Sequence, residues 1–338
     1  MSKTFLTLLM SLLFFAAFPL SKAEALKLVT YEHEGRTRIG AVVDDRVIDL
    51  NSAYVALLQQ RGDPRPVAMA NAIVPPDMVE FLDGEERSIK AAREAVAFAQ
   101  EGHPAAMQAA GILRDLNAVK LKAPIPKPRK ITLMGFNFRA HAEEMLEQVP
   151  DSPMLFSAYS SAVNGPGGTV VIPKTATKPD YELEFGVVIG KRGKNISPDK
   201  AMDYIVGYTI VNDGTERVWQ RRTTQYLIGK TVDSFKVMGP YLTTKDEIAD
   251  PHNLDMKLWV NGELRQESNT SLQVYKIWDV VSYMSSIWTL EPGDVLSTGT
   301  PKGVGAKRKP PVFLKSDDQV RLEITGLGVL EYSVLAEK

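Results

Sequence analysis

Tyr181-Glu182-Leu183-Glu184-Phe185-Gly186-Val187-Val188-Ile189 is the stretch on which the reading of the chain turns. Apolar residues alternate with acidic or small ones, and a period of two marks a β-strand. Residues i and i+2 of a strand share a face, so Glu182 and Glu184 point the same way with Cα atoms roughly 7 Å apart. Two carboxylates on one face of an apolar strand repel unless a cation sits between them. Hard oxygen donors suit Mg²⁺, or else Mn²⁺ or Ca²⁺. By itself an E-x-E pair is more often a solvated strand face, because acids are mostly exposed. A second stretch shifts the balance. Tyr208-Thr209-Ile210-Val211-Asn212-Asp213 reads as a strand that runs into a turn at Asn-Asp-Gly. Asp213 at that mouth is a candidate third ligand, although alone it reads more readily as a turn residue.

Working outward, the region 129–338 is strand-dominated. Ile131 to Met134, Met256 to Val260, Val295 to Thr298 and Val320 to Ile324 have strand composition. Ser197-Pro198 opens a short helix by cap and first-position logic, and Ser271 to Trp288 has helical apolar spacing. Ala123-Pro124-Ile125-Pro126-Lys127-Pro128 reads as a linker, since alternating prolines fit neither helix nor central strand. Before it, residues 24–60 read as three short strands and a helix capped by Asn51 or Ser52, and residues 76–110 as helical. The fold class is therefore α+β and strand-dominated. The expected organisation is a small N-terminal domain over 24–122, a linker over 123–129 and a larger domain over 130–338.

The first residues read as a signal peptide. Lys3 supplies a positive start, Phe5 to Leu20 is an almost unbroken apolar run, and Ser21-Lys22-Ala23 resembles an A-x-A cleavage site. The run is short for a membrane span, which needs about 20 residues. The expectation is removal of residues 1–23 and an exported protein, periplasmic or secreted, with no membrane attachment afterwards. The chain has 338 residues, a formal net charge of −1 and no cysteine. Near-neutral charge with no basic patch gives no sign of nucleic-acid binding. The lack of cysteine excludes disulfides, thiolate catalysis and cysteine zinc sites.

His141 is one of four histidines and lies in a helix-like segment with Glu144 three residues on, on the same helical face. A carboxylate on one ring nitrogen fixes the tautomer and raises basicity at the other, which makes a general base. Without other support such a pair reads as a surface i,i+3 contact. Thr298-Gly299-Thr300-Pro301-Lys302-Gly303-Val304-Gly305 is a glycine-rich loop after a strand, whose N–H groups could cradle a carboxylate. Its spacing does not match a dinucleotide fingerprint. Gly229-Lys230-Thr231 lacks the first glycine of a phosphate loop, and no G-x-S-x-G elbow is present.

In this order, the motifs resemble those of the fumarylacetoacetate hydrolase superfamily over about Lys130 to Leu335. The resemblance is carried by Gly135-Phe136-Asn137-Phe138-Arg139-Ala140-His141, Asn164-Gly165-Pro166-Gly167, Asp180-Tyr181-Glu182-Leu183-Glu184 and Val187-Val188-Ile189-Gly190-Lys191. It continues through Gly207 to Asp213, Gly229-Lys230-Thr231-Val232-Asp233, Val260-Asn261-Gly262-Glu263, and Leu290-Glu291-Pro292-Gly293-Asp294 running into Thr298-Gly299-Thr300-Pro301. It implies a mixed β-sandwich or β-roll catalytic domain, here with a small N-terminal α/β domain, usually as a homodimer. It implies Mg²⁺ or a similar ion on Glu182, Glu184 and Asp213, with His141 and Glu144 activating water. It implies that Arg217, Gln220, Lys230 and Thr300 approach the substrate, with Gly299 in the same loop and Asp233 supporting Lys230. The chain departs from the usual pattern at Ala140, at Val218 and at Ala158, where a lysine is usual.

The reaction expected first is hydrolytic C–C cleavage of an acylpyruvate-like or fumarylacetoacetate-like β-diketo acid. The alternative is lyase, isomerase or decarboxylase chemistry on a 2-oxo acid, such as 2-hydroxyhepta-2,4-diene-1,7-dioate or oxaloacetate. A non-catalytic oxo-acid binding protein is the third reading. In the hydrolytic scheme the 138–150 segment closes over the substrate as a lid.

Overall fold

The computed structural model describes residues 25–338, so the leader expected over 1–23 lies outside the described residues. The Leu183–Ile189 strand is buried at every position. It runs in the middle of a twelve-stranded sheet, between Ile205–Asp213 and Val295–Ser297. Leu183, Phe185, Val187 and Ile189 point into one core together with Met256, Leu258, Leu322 and Leu330 of a second, five-stranded sheet. Val188 faces the other way, into a core closed by helices. The result is helices on a long mixed sheet on a smaller sheet. A strand buried on both faces needs apolar residues on both, and the run Gly186-Val187-Val188-Ile189 supplies them.

The residues before the linker are built into the same sheet. Lys27–His33 pairs with Lys236–Thr244, and its other neighbours are Arg36–Val43 and Lys120–Leu121. The helical layer comes from Leu50–Gln60, Pro66–Ile73, Met78–Asp83 and Glu85–Glu101, which pack Leu57, Phe81, Ala92 and Val96 against Leu28, Val211 and Met238. No helix among the described residues is long and apolar enough to cross a membrane.

Two local expectations need correction. The cap of Leu50–Gln60 is Asp49, not Asn51 or Ser52; its carboxylate accepts the Ser52 N–H at 2.8 Å. Asp49 is held ready by the Tyr31 hydroxyl at 2.5 Å and by Arg38. The expected helix over Ser271 to Trp288 starts only at Ile277, where the Asp279 carboxylate reaches back to accept the Lys276 N–H at 3.2 Å. The residues before it bond across to another segment: the Val274 N–H donates to Asn137 O at 2.8 Å. That tertiary pairing outcompetes the helical pattern.

Candidate active site

The sheet brings the acids together. Leu183 lies opposite Asn212 in the antiparallel ladder, so Glu182 and Asp213 reach the same end, and the Asp213 N–H donates to Glu182 O at 2.8 Å. Glu182, Glu184 and Asp213 each present an oxygen within 4.8 Å of the others, and all three are buried. They open onto a cleft of about 420 Å³ whose wall also includes His141, Arg217, Gln220 and Thr300.

Each acid has different company. The Arg217 guanidinium donates to Asp180 Oδ2 at 2.8 Å and to Glu182 Oε1 at 2.7 Å. Asp180 is itself fixed by the Gly305 and Ala306 N–H groups at 2.8 and 3.0 Å. Lys230 donates to Glu182 and, at 2.5 Å, to Asp213 Oδ2. Lys236 Nζ lies 2.6 Å from Asp213 Oδ1 in an ion pair and donates to Gly214 O at 2.6 Å. Burial alone would raise the Glu182 carboxyl, but Arg217, Lys230 and His141 outweigh it and hold it well below its usual range. Burial opposes the Lys230 charge, yet Asp213 and Glu182 keep its ammonium above the ordinary lysine value. For Lys236 burial wins and lowers it, against the pull of Asp213.

Glu184 has no cationic partner within ion-pair distance among the described residues. It accepts from the Ser297 hydroxyl at 2.6 Å and the Gly299 N–H at 2.9 Å. Burial, then Asp213, then Glu182, push its carboxyl well above the usual range. Four carboxylates thus meet three side-chain cations in this cluster, and the surplus sits on Glu184. An all-oxygen donor set with one uncompensated carboxylate fits a divalent cation.

His141 lies on the Arg139–Met145 helix, 5% exposed, with its ring stacked 6.0 Å from that of Phe136. Its Nδ1 bonds Glu144 Oε1 at 2.9 Å, and Glu144 takes the Gly303 N–H at 3.0 Å. The glycine-rich loop does cradle carboxylates, but they are the protein's own: Gly299 serves Glu184 and Gly303 serves Glu144. Both glycines have positive φ, +94° and +107°. A Cβ on Gly303 would stand 2.2 Å from Arg265 O, so the loop can approach only without side chains there.

Other expected contacts fall differently. Thr300 is on the cleft wall, but its hydroxyl donates to Leu183 O at 3.0 Å and accepts from Gln266 at 2.9 Å. Lys230 is not among the lining residues; its ammonium is taken by Glu182 and Asp213. Asp233 does not support Lys230. It is exposed, while Lys230 is 2% exposed with its ion pairs elsewhere. Ala158 lines a separate cavity beside Trp288 and Tyr159 rather than the cleft. Sequence reasoning misses Ser297 and Lys236, since nothing local marks them. Asp180 stands inside the D-Y-E-x-E motif, and that position is the one signal that could have found it as the anchor of Arg217.

A deeply placed acidic cluster beside an oriented histidine, on a cleft of small-molecule size, has the parts of an enzyme that works on a small molecule. A family model described as the C-terminal region of fumarylacetoacetate (FAA) hydrolase matches residues 130–335, and the chain belongs to this family. It is 43% identical over 258 residues to an oxaloacetate tautomerase, Fahd2a, from Rattus norvegicus, covering 76% of this chain and 79% of the relative. Among solved structures it resembles a putative HpcE protein from Mycobacterium smegmatis (31% identity, TM-score 0.72, 91% of this chain and 99% of that one). It also resembles a maleylpyruvate hydrolase from Sphingobium sp. SYK-6 solved with manganese(II) and pyruvate (28% identity, TM-score 0.66, 92% and 100% covered). Enzymes in this company are tautomerases, isomerases and hydrolases, and the chain is an enzyme of that type.

The expectation of export is overturned. The rat relative is named as a mitochondrial protein, as are bovine and human relatives. The acid-free stretch 1–23 with Lys3 and Lys22 has features that leaders for different destinations share, so it does not fix one.

Proposed function

We propose that this enzyme interconverts the keto and enol forms of a small 2-oxo dicarboxylic acid of the oxaloacetate type. A divalent cation, Mg²⁺ or Mn²⁺, is held by Glu182, Glu184 and Asp213. The observation that carries the reading is that the His141–Glu144 pair and the three-carboxylate cluster share one small cleft. The relatives named as oxaloacetate tautomerases support isomerisation over the hydrolysis expected first.

When bound, the cation polarises the oxo group and makes the adjacent carbon acid stronger. The chain's own groups move the proton. His141, whose Nδ1 is committed to Glu144, presents Nε2 as the base that takes a proton from the carbon next to the oxo group. Glu144, fixed by the Gly303 N–H, stabilises the imidazolium that results. The same proton returns to the oxygen, so no water or other reactant is consumed. Gln220 Oε1 accepts from Arg217 at 3.3 Å, which leaves the amide N–H groups of Gln220 for the substrate.

Stopped-flow measurement of enol absorbance, with oxaloacetate and Mg²⁺ or Mn²⁺, tests the proposal. Accelerated interconversion without loss of oxaloacetate is the expected result. No acceleration with either metal, together with cleavage of an acylpyruvate seen by NMR, would restore the hydrolytic reading. The homodimer implied by the family belongs to the same reading, and light scattering of the purified chain checks it.

A further inference from the structure

We propose that Lys236 restricts Asp213 to a single oxygen as a ligand and thereby biases the site toward small octahedral cations over calcium. The inference rests on the reading of Glu182, Glu184 and Asp213 as a divalent-cation site.

Both oxygens of Asp213 are in contact with ammonium groups, but the two contacts differ in kind. Lys230 approaches Oδ2 from the short Leu227–Lys230 helix, outside the sheet, and divides its bonds between Asp213 and Glu182. Lys236 lies directly opposite Asp213 in the ladder between Ile205–Asp213 and Lys236–Thr244. Residues directly opposite on antiparallel strands hold their side chains on one face at contact distance. Lys236 is 0% exposed, and its Nζ is tied a second time by the Gly214 carbonyl at 2.6 Å. Moving it off Asp213 Oδ1 would require a change of register or an unpaired buried amine. Oδ1 accepts no hydrogen bond, but an ammonium that the sheet itself fixes stands against it in an ion pair and closes its approach to a cation, whereas Oδ2 is held only by the Lys230 bond from outside the sheet and is the oxygen Asp213 has for a cation.

The count of available oxygens separates the ions. Ca²⁺ takes about six to eight oxygens at roughly 2.3–2.6 Å and often uses both oxygens of a carboxylate, whereas Mg²⁺ accepts about six at roughly 2.0–2.1 Å. Glu184 is limited in the same sense, because its Oε2 already accepts from Ser297 and Gly299. A cluster of one-oxygen carboxylates under-coordinates the larger ion and suits the smaller. Lys236 is a positioning residue here: it touches no substrate and acts through Asp213.

Calorimetric titration of the chelator-stripped full chain with Mn²⁺ and with Ca²⁺ tests this without reference to turnover. Wild type is expected to prefer Mn²⁺. Lys236→Met frees Oδ1 and narrows that preference by about tenfold through tighter Ca²⁺ binding, and Lys236→Arg, which can keep the contact, retains the preference. An unchanged ratio in folded Lys236→Met overturns the inference, as does a wild type that prefers Ca²⁺. If Lys236→Met does not fold, a crystal structure of wild type with Mn²⁺ decides: one Asp213 oxygen on the metal with Lys236 on the other supports the inference, and two on the metal refute it. Wild type that binds neither ion would remove the metal reading itself, a failure distinct from a site that binds both ions with the ratio unmoved by Lys236.

Discussion

The two ends of the carboxylate cluster are built on opposite plans. At one end Asp213 sits between Lys230 and Lys236, and Glu182 between Lys230 and Arg217. At the other, Glu184 has only a hydroxyl and a backbone amide. The charged end is already neutralised by the fold; the other end is left in need of a cation. The protein thereby separates two jobs that one symmetric cluster would confuse, holding the strands together and attracting an ion. Burial of an unpaired carboxylate is costly, and burial of a paired one is costly only when its partner is removed.

Asp213→Asn should break this contrast most severely. It leaves buried Lys236 with no carboxylate and Lys230 with Glu182 alone, and should destabilise the metal-free fold by about 3–5 kcal/mol, measured by chemical denaturation. Glu184→Gln is its counterpart. It should abolish Mn²⁺ binding in calorimetry while costing the metal-free fold at most about 1 kcal/mol, since an amide still accepts from Ser297 and Gly299. Equal destabilisation by the two variants would erase the distinction between the ends.

His141→Ala should lower kcat for enol–keto interconversion by about 10²- to 10⁴-fold with Mn²⁺ affinity unchanged. A parallel loss of metal binding would show that the histidine supports the cluster rather than the proton transfer.

The pH dependence of the metal-free protein sharpens the same comparison. The folded-state carboxyl of Glu184 titrates well above its ordinary range, because of burial and then of Asp213 and Glu182. A raised carboxyl binds its proton more tightly in the folded chain than in the unfolded one. Its contribution is therefore fully present below the ordinary glutamate range and is lost as pH rises through the raised folded value. Stability measured with chelator present should fall from mildly acidic to alkaline pH, and Glu184→Gln should flatten that fall. The smallest effect is expected at Asp233. Asp233→Asn should change stability and kcat by no more than about 0.5 kcal/mol, because the side chain is exposed and away from Lys230.

Much of the site is legible in the amino-acid order alone. Strand alternation puts Glu182 and Glu184 on one face, the strand end at Asp213 supplies a third acid, and the i,i+3 spacing joins His141 to Glu144. The corrections share one physical origin. Asp49 displaces Asn51 and Ser52 as a helix cap because Tyr31 and Arg38 hold it in place. The helix at Ile277 starts late because Val274 bonds to Asn137. Lys230, expected at the substrate, has its ammonium taken by two carboxylates instead.

Period, composition and the order of motifs, all properties of neighbours along the chain, determined the family and the strand-dominated class and pointed to the three acids and the histidine–glutamate pair. Which charge neutralises which acid was decided only by the tertiary structure. The Glu184 carboxylate meets the Gly299 amide 115 residues away. Asp213 meets Lys236 because two strands pair in one register and not another. Burial makes such long-range contacts strong, and no local pattern encodes them.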